Sequence, residues 1–238
     1  ECEHYVQQNA AAVRELLPAE LVFANHVLLG GPVGAASGAR YAVKAHGSEL
    51  EYSMRGSPHL QAWGRESLAG AGAVFVGSEH IRRVLEEVVG HVERVHEVPP
   101  GVDVAEFRPR PRDEALVALL DEARRDPPNP GNANERLPDE GNADRLAAFF
   151  AGERPTVVYF GKLLYNKGVH LLLEAQRELD ARVVIVGFGD YRAELEAMAG
   201  PGTLFTGALE HRHLVHLLSL ADATVVPSIF PEAFGMVA

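Results

Sequence analysis

The sequence lacks most of what would mark a secreted, membrane-spanning or nucleic-acid-binding protein. Its single cysteine, Cys2, can form no internal disulfide, which fits a reducing cytoplasm. No run approaches the ~18 consecutive apolar residues that a transmembrane helix needs. The opening residues Glu1-Cys2-Glu3-His4 do not have the basic-then-apolar pattern of a secretory signal. Positive charge is scarce: 22 Lys and Arg against 33 Asp and Glu leave a net charge of −11. Nucleic acid is therefore not expected as a partner, because backbone-phosphate binding needs a concentrated basic face. A small phosphate-bearing substrate stays open, since two well-placed lysines suffice locally. What remains is ordinary soluble composition, 47% hydrophobic and 23% charged over 238 residues, with room for two small domains.

Short apolar, β-branched runs alternate with amphipathic stretches. The runs are 21–26, 41–45, 73–77 and 92–98, then 156–160, 182–186, 203–206 and 223–226. Their near-continuous apolarity predicts parallel strands buried on both faces. Between them, Ser78 is a natural N-cap for a helix with Ile81, Val84, Leu85 and Val88 on one face, closed by Gly90. Stretches 169–179 and 213–220 read the same way. The fold class is α/β, two Rossmann-like parallel-sheet domains, with repeated right-handed crossovers. Residues 1–108 read as a partial N-terminal domain, 109–153 as a linker or insertion, and 154–238 as a partial C-terminal nucleotide-sugar-binding domain. Within the linker, short helices are predicted at 114–124 and 143–151. The Pro-, Gly- and Asn-rich pieces 126–132 and 137–142 are expected to bury little and to be partly flexible. The chain starts without Met and stops at Met236-Val237-Ala238 inside a helical pattern, so it reads as a fragment cut at both ends.

Ligands of open parallel sheets sit beyond the carboxyl ends of the strands. Four loops qualify. Gly161-Lys162-Leu163-Leu164-Tyr165-Asn166-Lys167-Gly168 places two lysines and free backbone N–H groups around a helix start, which suits a diphosphate. The competing reading is two surface lysines. Pro227 to Val237 offers Glu232 to accept from hydroxyls and Gly235 for close backbone approach; the competing reading makes Glu232 a favourable helix-N-terminal charge. His46 ends the second strand ahead of Gly47, and His26 is a weaker analogue; a lone histidine there can equally be structural. Gly187-Phe188-Gly189-Asp190 lacks the third glycine of a dinucleotide fingerprint, which speaks against a nicotinamide cofactor. His211, His213 and His216 read as an exposed helix turn in preference to a metal site, and no metal is expected.

As an ordered set, these loops resemble the GT-B fold retaining glycosyltransferases of family 4 (glycosyltransferase group 1). His46-Gly47-Ser48-Glu49 looks like the family's N-terminal histidine loop. Pro99-Pro100-Gly101-Val102-Asp103 with Phe107 and Pro109 looks like the segment closing that domain. Gly161-Lys162-Leu163 with Lys167-Gly168 is similar to its donor-phosphate loop, and Glu232 to Val237 to the first half of its Glu-x7-Glu signature. The resemblance implies a hexosyltransferase that moves a sugar from a nucleotide-diphosphate sugar, UDP- or GDP-linked, to an acceptor with retention of configuration. It implies no cofactor, a cytoplasmic location that can include the inner membrane face, and an acceptor that is a sugar, lipid or small molecule.

The implied roles are residue-specific. His46 and Glu232 are catalytic, and Lys162, Lys167 and Gly161 hold the donor phosphates. Backbone amides of Phe234, Gly235, Met236 and Val237 meet the donor sugar, and Gly187, Gly189 and Leu209 lie in the nucleotide region. The family usually has Arg where Lys162 stands, so a forked phosphate contact becomes a point charge. The second signature Glu would fall at position 240, beyond the chain, and the family's N-terminal glycine-rich loop is absent, so the fragment alone is expected to be inactive. A non-catalytic sugar-nucleotide-binding scaffold and another GT-B enzyme, such as a nucleotide-sugar epimerase or a phosphorylase, are the alternatives.

Overall fold

The protein is described by a computed structural model, which gives residues 2–129 and 136–230. The chain divides into two compact units, with the change at Gly101 and Val102.

The first unit follows the order α1 (Cys2–Glu15), β1 (Val22–Asn25), α2 (Gly30–Ala36), β2 (Tyr41–Lys44), a π-helical turn (Glu49–Met54), α3 (Pro58–Ala69), β3 (Ala73–Val76), α4 (Glu79–Val89) and β4 (Val95–Glu97). Its sheet is parallel throughout, with spatial order β1-β2-β3-β4. Helix α4 forms where the pattern predicts. The Ser78 side chain accepts from Ile81 N–H at 3.3 Å, Ile81, Val84, Leu85 and Val88 are buried, and Gly90 ends the helix at φ 86°. The π-helical turn inserts Leu50 and Met54, both fully buried, into the same core as Val43, Val74 and Leu85. Truncating either to Ala would cost about 2–5 kcal/mol.

The second unit follows α5 (Arg112–Ala123), α6 (Asn142–Phe149), β5 (Thr156–Phe160), a 3-10 turn (Tyr165–Lys167), α7 (Val169–Gln176), β6 (Arg182–Val186), α8 (Arg192–Met198), β7 (Thr203–Phe205), α9 (His211–Leu217) and β8 (Ala223–Thr224). Its sheet is again parallel, ordered β7-β6-β5-β8. Two cores flank it. One holds Val158, Val184 and Val186 with Leu214 and Leu217, and the other holds Tyr159, Val183 and Ile185 with Leu163, Leu173 and Leu195.

Three expectations change on contact with the structure. Burial holds along β6, where every residue is buried, and at the edge strand β7, where Leu204 and Phe205 are buried, but not at the other three edges. Strands β1, β4 and β8 are largely exposed, because an edge strand has a neighbour on one side only. The stretch 109–153 supplies structure to the second unit: Ala115 and Leu119 of α5 and Leu146 of α6 are fully buried in its core. The polar stretch 137–142 also packs closely. Pro138 bridges to Gly207, and Asn142 is buried. Main-chain pairing and one amide side chain do there what apolar burial does elsewhere.

Candidate functional site

In the second unit, the loops after β5, β6 and β7 lie side by side and bond through their main chains. Gly161 N–H donates to Val186 O at 3.0 Å, Leu163 N–H to Phe188 O at 2.8 Å, and Gly187 N–H to Gly207 O at 2.8 Å. Close approach is possible only without side chains. Gly187 has φ 150°, and a Cβ on it would collide with the Gly161 carbonyl oxygen. Thus Gly161, Gly187, Gly189 and the turn leading to Leu209 are brought together at the carboxyl edge of the sheet, the place where such sheets bind ligands.

Lys162 stands exposed on this edge, and its ammonium has no hydrogen bond or ion pair among the described residues. Lys167 ends the 3-10 turn that precedes α7. The loop after β8 rests on the same turn, with Ile229 N–H donating to Asn166 O at 3.0 Å. The Leu209 main chain takes no hydrogen bond among the described residues, which leaves a donor and an acceptor at the turn. Tyr165 stacks on His170 with ring centroids 4.8 Å apart, stiffening the turn between the two lysines. Glu232, Phe234, Gly235, Met236 and Val237 lie outside the described residues.

In the first unit, His46 follows β2 and His26 follows β1, with ring centroids 4.5 Å apart. His46 Nε2 lies 3.2 Å from Asn25 Oδ1. An amide oxygen only accepts, so a bond there puts the imidazole proton on Nε2. Partial burial, then the neighbouring His26 and Lys44, hold the His46 pKa below its ordinary value and favour the neutral ring. Both histidine loops are fixed by the buried carboxylate of Glu49. Its Oε1 accepts from Val27 N–H at 2.8 Å and His46 N–H at 3.1 Å, and its Oε2 from Leu28 N–H at 3.0 Å. Charge-assisted bonds to main-chain donors are the stronger kind, and they set His26 at φ 76°. In the sequence, Glu49 stands only as the last residue of His46-Gly47-Ser48-Glu49, and its position three residues after His46 is the available signal of this role. Asn25 and the 137–142 pairing gave no such signal.

Of the α9 histidines, His211 is exposed as expected, but His216 is half-buried and His213 is not on the surface at all. His213 is fully buried, with Nδ1 accepting from Glu210 N–H at 3.3 Å and Nε2 3.0 Å from Asp126 Oδ1. Arg212 reaches Glu122 Oε2 at 2.9 Å and Asp126 Oδ1 at 2.5 Å. The histidine is drawn inward because a carboxylate distant in sequence meets it. No group of three His, Cys, Asp or Glu that could hold a metal occurs among the described residues.

Residues 142–238 match the family of glycosyl transferases group 1. This group 1 glycosyltransferase match runs from α6 through the loops just described. Among curated relatives, the chain is 29% identical to an alpha-D-kanosaminyltransferase of Streptomyces kanamyceticus, covering 63% of this chain and 42% of that one. It is 28% identical to a GDP-mannose-dependent alpha-(1-6)-phosphatidylinositol monomannoside mannosyltransferase of Mycobacterium tuberculosis, covering 81% and 45%. The chain thus spans less than half the length of these curated relatives. Solved structures similar to it include a sucrose-phosphate synthase from Thermosynechococcus elongatus, with TM-score 0.68 and 21% identity, covering 96% of this chain and 55% of that one. Anabaena Alr3699/HepE in complex with UDP-glucose is also similar, with TM-score 0.68 and 18% identity over 98% and 58%. The structural likeness gives the fold, the two parallel α/β sheets of GT-B glycosyltransferases. No helix among the described residues is long and apolar enough to cross a membrane.

Proposed function

We propose that the complete protein is a retaining family 4 glycosyltransferase that moves a sugar from a UDP- or GDP-linked donor to a sugar, lipid or small-molecule acceptor. The observation that carries this reading is the carboxyl edge of the second sheet, where three glycine-led loops are laid main chain to main chain beside Lys162, whose ammonium has no partner among the described residues. The match of residues 142–238 to group 1 glycosyltransferases supports it. So do relatives whose names include a GDP-mannose-dependent enzyme and a structure with UDP-glucose.

In this reading, Lys162 and Lys167 neutralise the diphosphate as the sugar–phosphate bond breaks, the charge that most needs stabilising. Gly161 lets the phosphates approach the backbone, and Gly187, Gly189 and Leu209 flank the nucleoside. Glu232 holds hydroxyls of the transferred sugar, the amides of Phe234 to Val237 meet the same sugar, and His46, favoured as the neutral ring, is the second catalytic residue. No metal is required, because lysines and backbone N–H groups supply the positive potential. The place of action is the cytoplasm, at the inner membrane face for a lipid acceptor.

The test is calorimetric titration of the complete protein with UDP, GDP and ADP, beside a Lys162→Ala, Lys167→Ala double variant. Binding of one nucleotide that the variant loses supports the assignment. Equal binding by parent and variant puts the phosphate site elsewhere.

A further inference from the structure

The turn from Gly207 to Glu210 is held from both sides by the chain that precedes β5. On one side, residues 137–139 pair with it. Ala208 N–H donates to Leu137 O at 2.9 Å, Asp139 N–H donates to Thr206 O at 2.8 Å, and Pro138 lies opposite Gly207. Asn142 Nδ2–H adds a bond to Thr206 O at 2.8 Å, and Arg145 Nη2–H one to Phe205 O at 2.7 Å. The Asp139 side chain is itself fixed. Its two oxygens receive both Nη groups of the nearly buried Arg192, at 2.8 and 2.6 Å. A Cβ at Gly207, which has φ 69°, would lie 2.5 Å from Leu137 O, so the strap and the turn fit only because glycine stands there. On the other side, Arg212 of α9 bonds Glu122 and Asp126 at the end of α5. Between these anchors, the Leu209 main chain is left without a partner among the described residues.

We propose that residues 137–142 form a strap that presets the Leu209 main chain for the base of a nucleoside diphosphate, with Asp139 as the positioning residue. This rests on the donor-site reading above. Base recognition by main-chain groups demands placement within about 0.5 Å, which a turn supplies only when its neighbours lock it. The diphosphate is held elsewhere, on the 161–168 loop, so the two halves of one ligand report on two different parts of the protein.

The experiment uses the complete protein, as wild type and as Asp139→Ala. UDP, GDP and inorganic pyrophosphate are titrated into each, and Tm is recorded alongside. The expected result is a loss of about tenfold or more in affinity for the preferred nucleoside diphosphate, a hydrogen-bond-sized effect. The UDP-to-GDP preference narrows, pyrophosphate binding stays unchanged, and Asp139→Asn, which keeps one acceptor for Arg192 but turns an NH2 toward its other Nη group, recovers only part of the loss. An equal loss for pyrophosphate, or a lowered Tm with unchanged nucleotide affinity, overturns the proposal and makes the strap a stabilising element alone. Should Asp139→Ala fail to fold, Arg192→Lys gives the same comparison with charge retained. Wild-type protein that binds no nucleoside diphosphate overturns the donor-site reading itself, before any substitution is considered.

Discussion

The two units place residues at strand ends by different means. In the first, one buried side chain does it: Glu49 gathers the N–H groups of Val27, Leu28 and His46, and two histidine loops are set by that carboxylate. In the second, no side chain stands at the centre. Glycine-led loops bond main chain to main chain, from Gly161 to Val186 and from Gly187 to Gly207, and a strap from 137–142 closes the row. A site held by one carboxylate can be undone by one isosteric change. A site held by backbone is sensitive to any added atom and indifferent to most changes of charge.

That contrast can be broken at specific positions. The largest effect is expected from Gly187→Ala, whose new Cβ meets the Gly161 carbonyl at a φ of 150°. A cost of about 3 kcal/mol or more should appear as a lowered urea midpoint. Next is Glu49→Gln, which keeps the shape but turns an NH2 group toward main-chain donors. About 2–3 kcal/mol should be lost, with the His26 and His46 ring resonances shifted. Gly38→Ala has the same left-handed problem at φ 81° but meets open space, so about 1 kcal/mol is expected from backbone strain alone. A collision-free Gly187→Ala that cost no more than Gly38→Ala would remove the distinction between the units.

Acid should act more gently, in the second unit through the buried His213 and the half-buried His216, and in the first through His46. The His46 pKa is depressed in the folded state by burial, His26 and Lys44. Between the folded value and the ordinary value near 6.5, the unfolded chain binds more protons, so this residue's contribution is intact above that range and is lost as pH falls through it. Tm should therefore fall on going from pH 7.5 to 5.5, and His46→Gln should flatten that slope; an unchanged slope would show that His46 titrates as if exposed. The smallest stability effect belongs to Lys162→Ala, an exposed ammonium with no partner among the described residues. Its Tm should match the parent within the equivalent of about 0.5 kcal/mol while nucleotide binding falls.

Much of this protein was legible in the sequence because local chemistry decides it. All eight apolar runs became strands within a few residues, and Ser78 and Gly90 bound α4 as side-chain capping and a positive φ require. Gly161, Gly187 and Gly189 could be placed after strands by reading alone, since a parallel sheet puts its ligand loops at one edge. His213 could not be placed. Periodicity gives a helix, but whether a helix face is buried depends on what arrives from far away, here Asp126. The same holds for 137–142, whose Pro, Gly and Asn content promises poor burial until its main chain finds Gly207.

The alternation of strands and helices, the parallel sheets, and the set of residues that stand at strand ends all follow from side-chain period, capping and turn chemistry within a few residues. Which of them meet is settled by the folded arrangement instead. Glu49 finds the amides of a loop some twenty residues away, Gly187 lies against Gly161, and Asp139 locks to Arg192. Those pairings depend on hydrogen-bond geometry between distant segments, and distance along the chain carries no information about it.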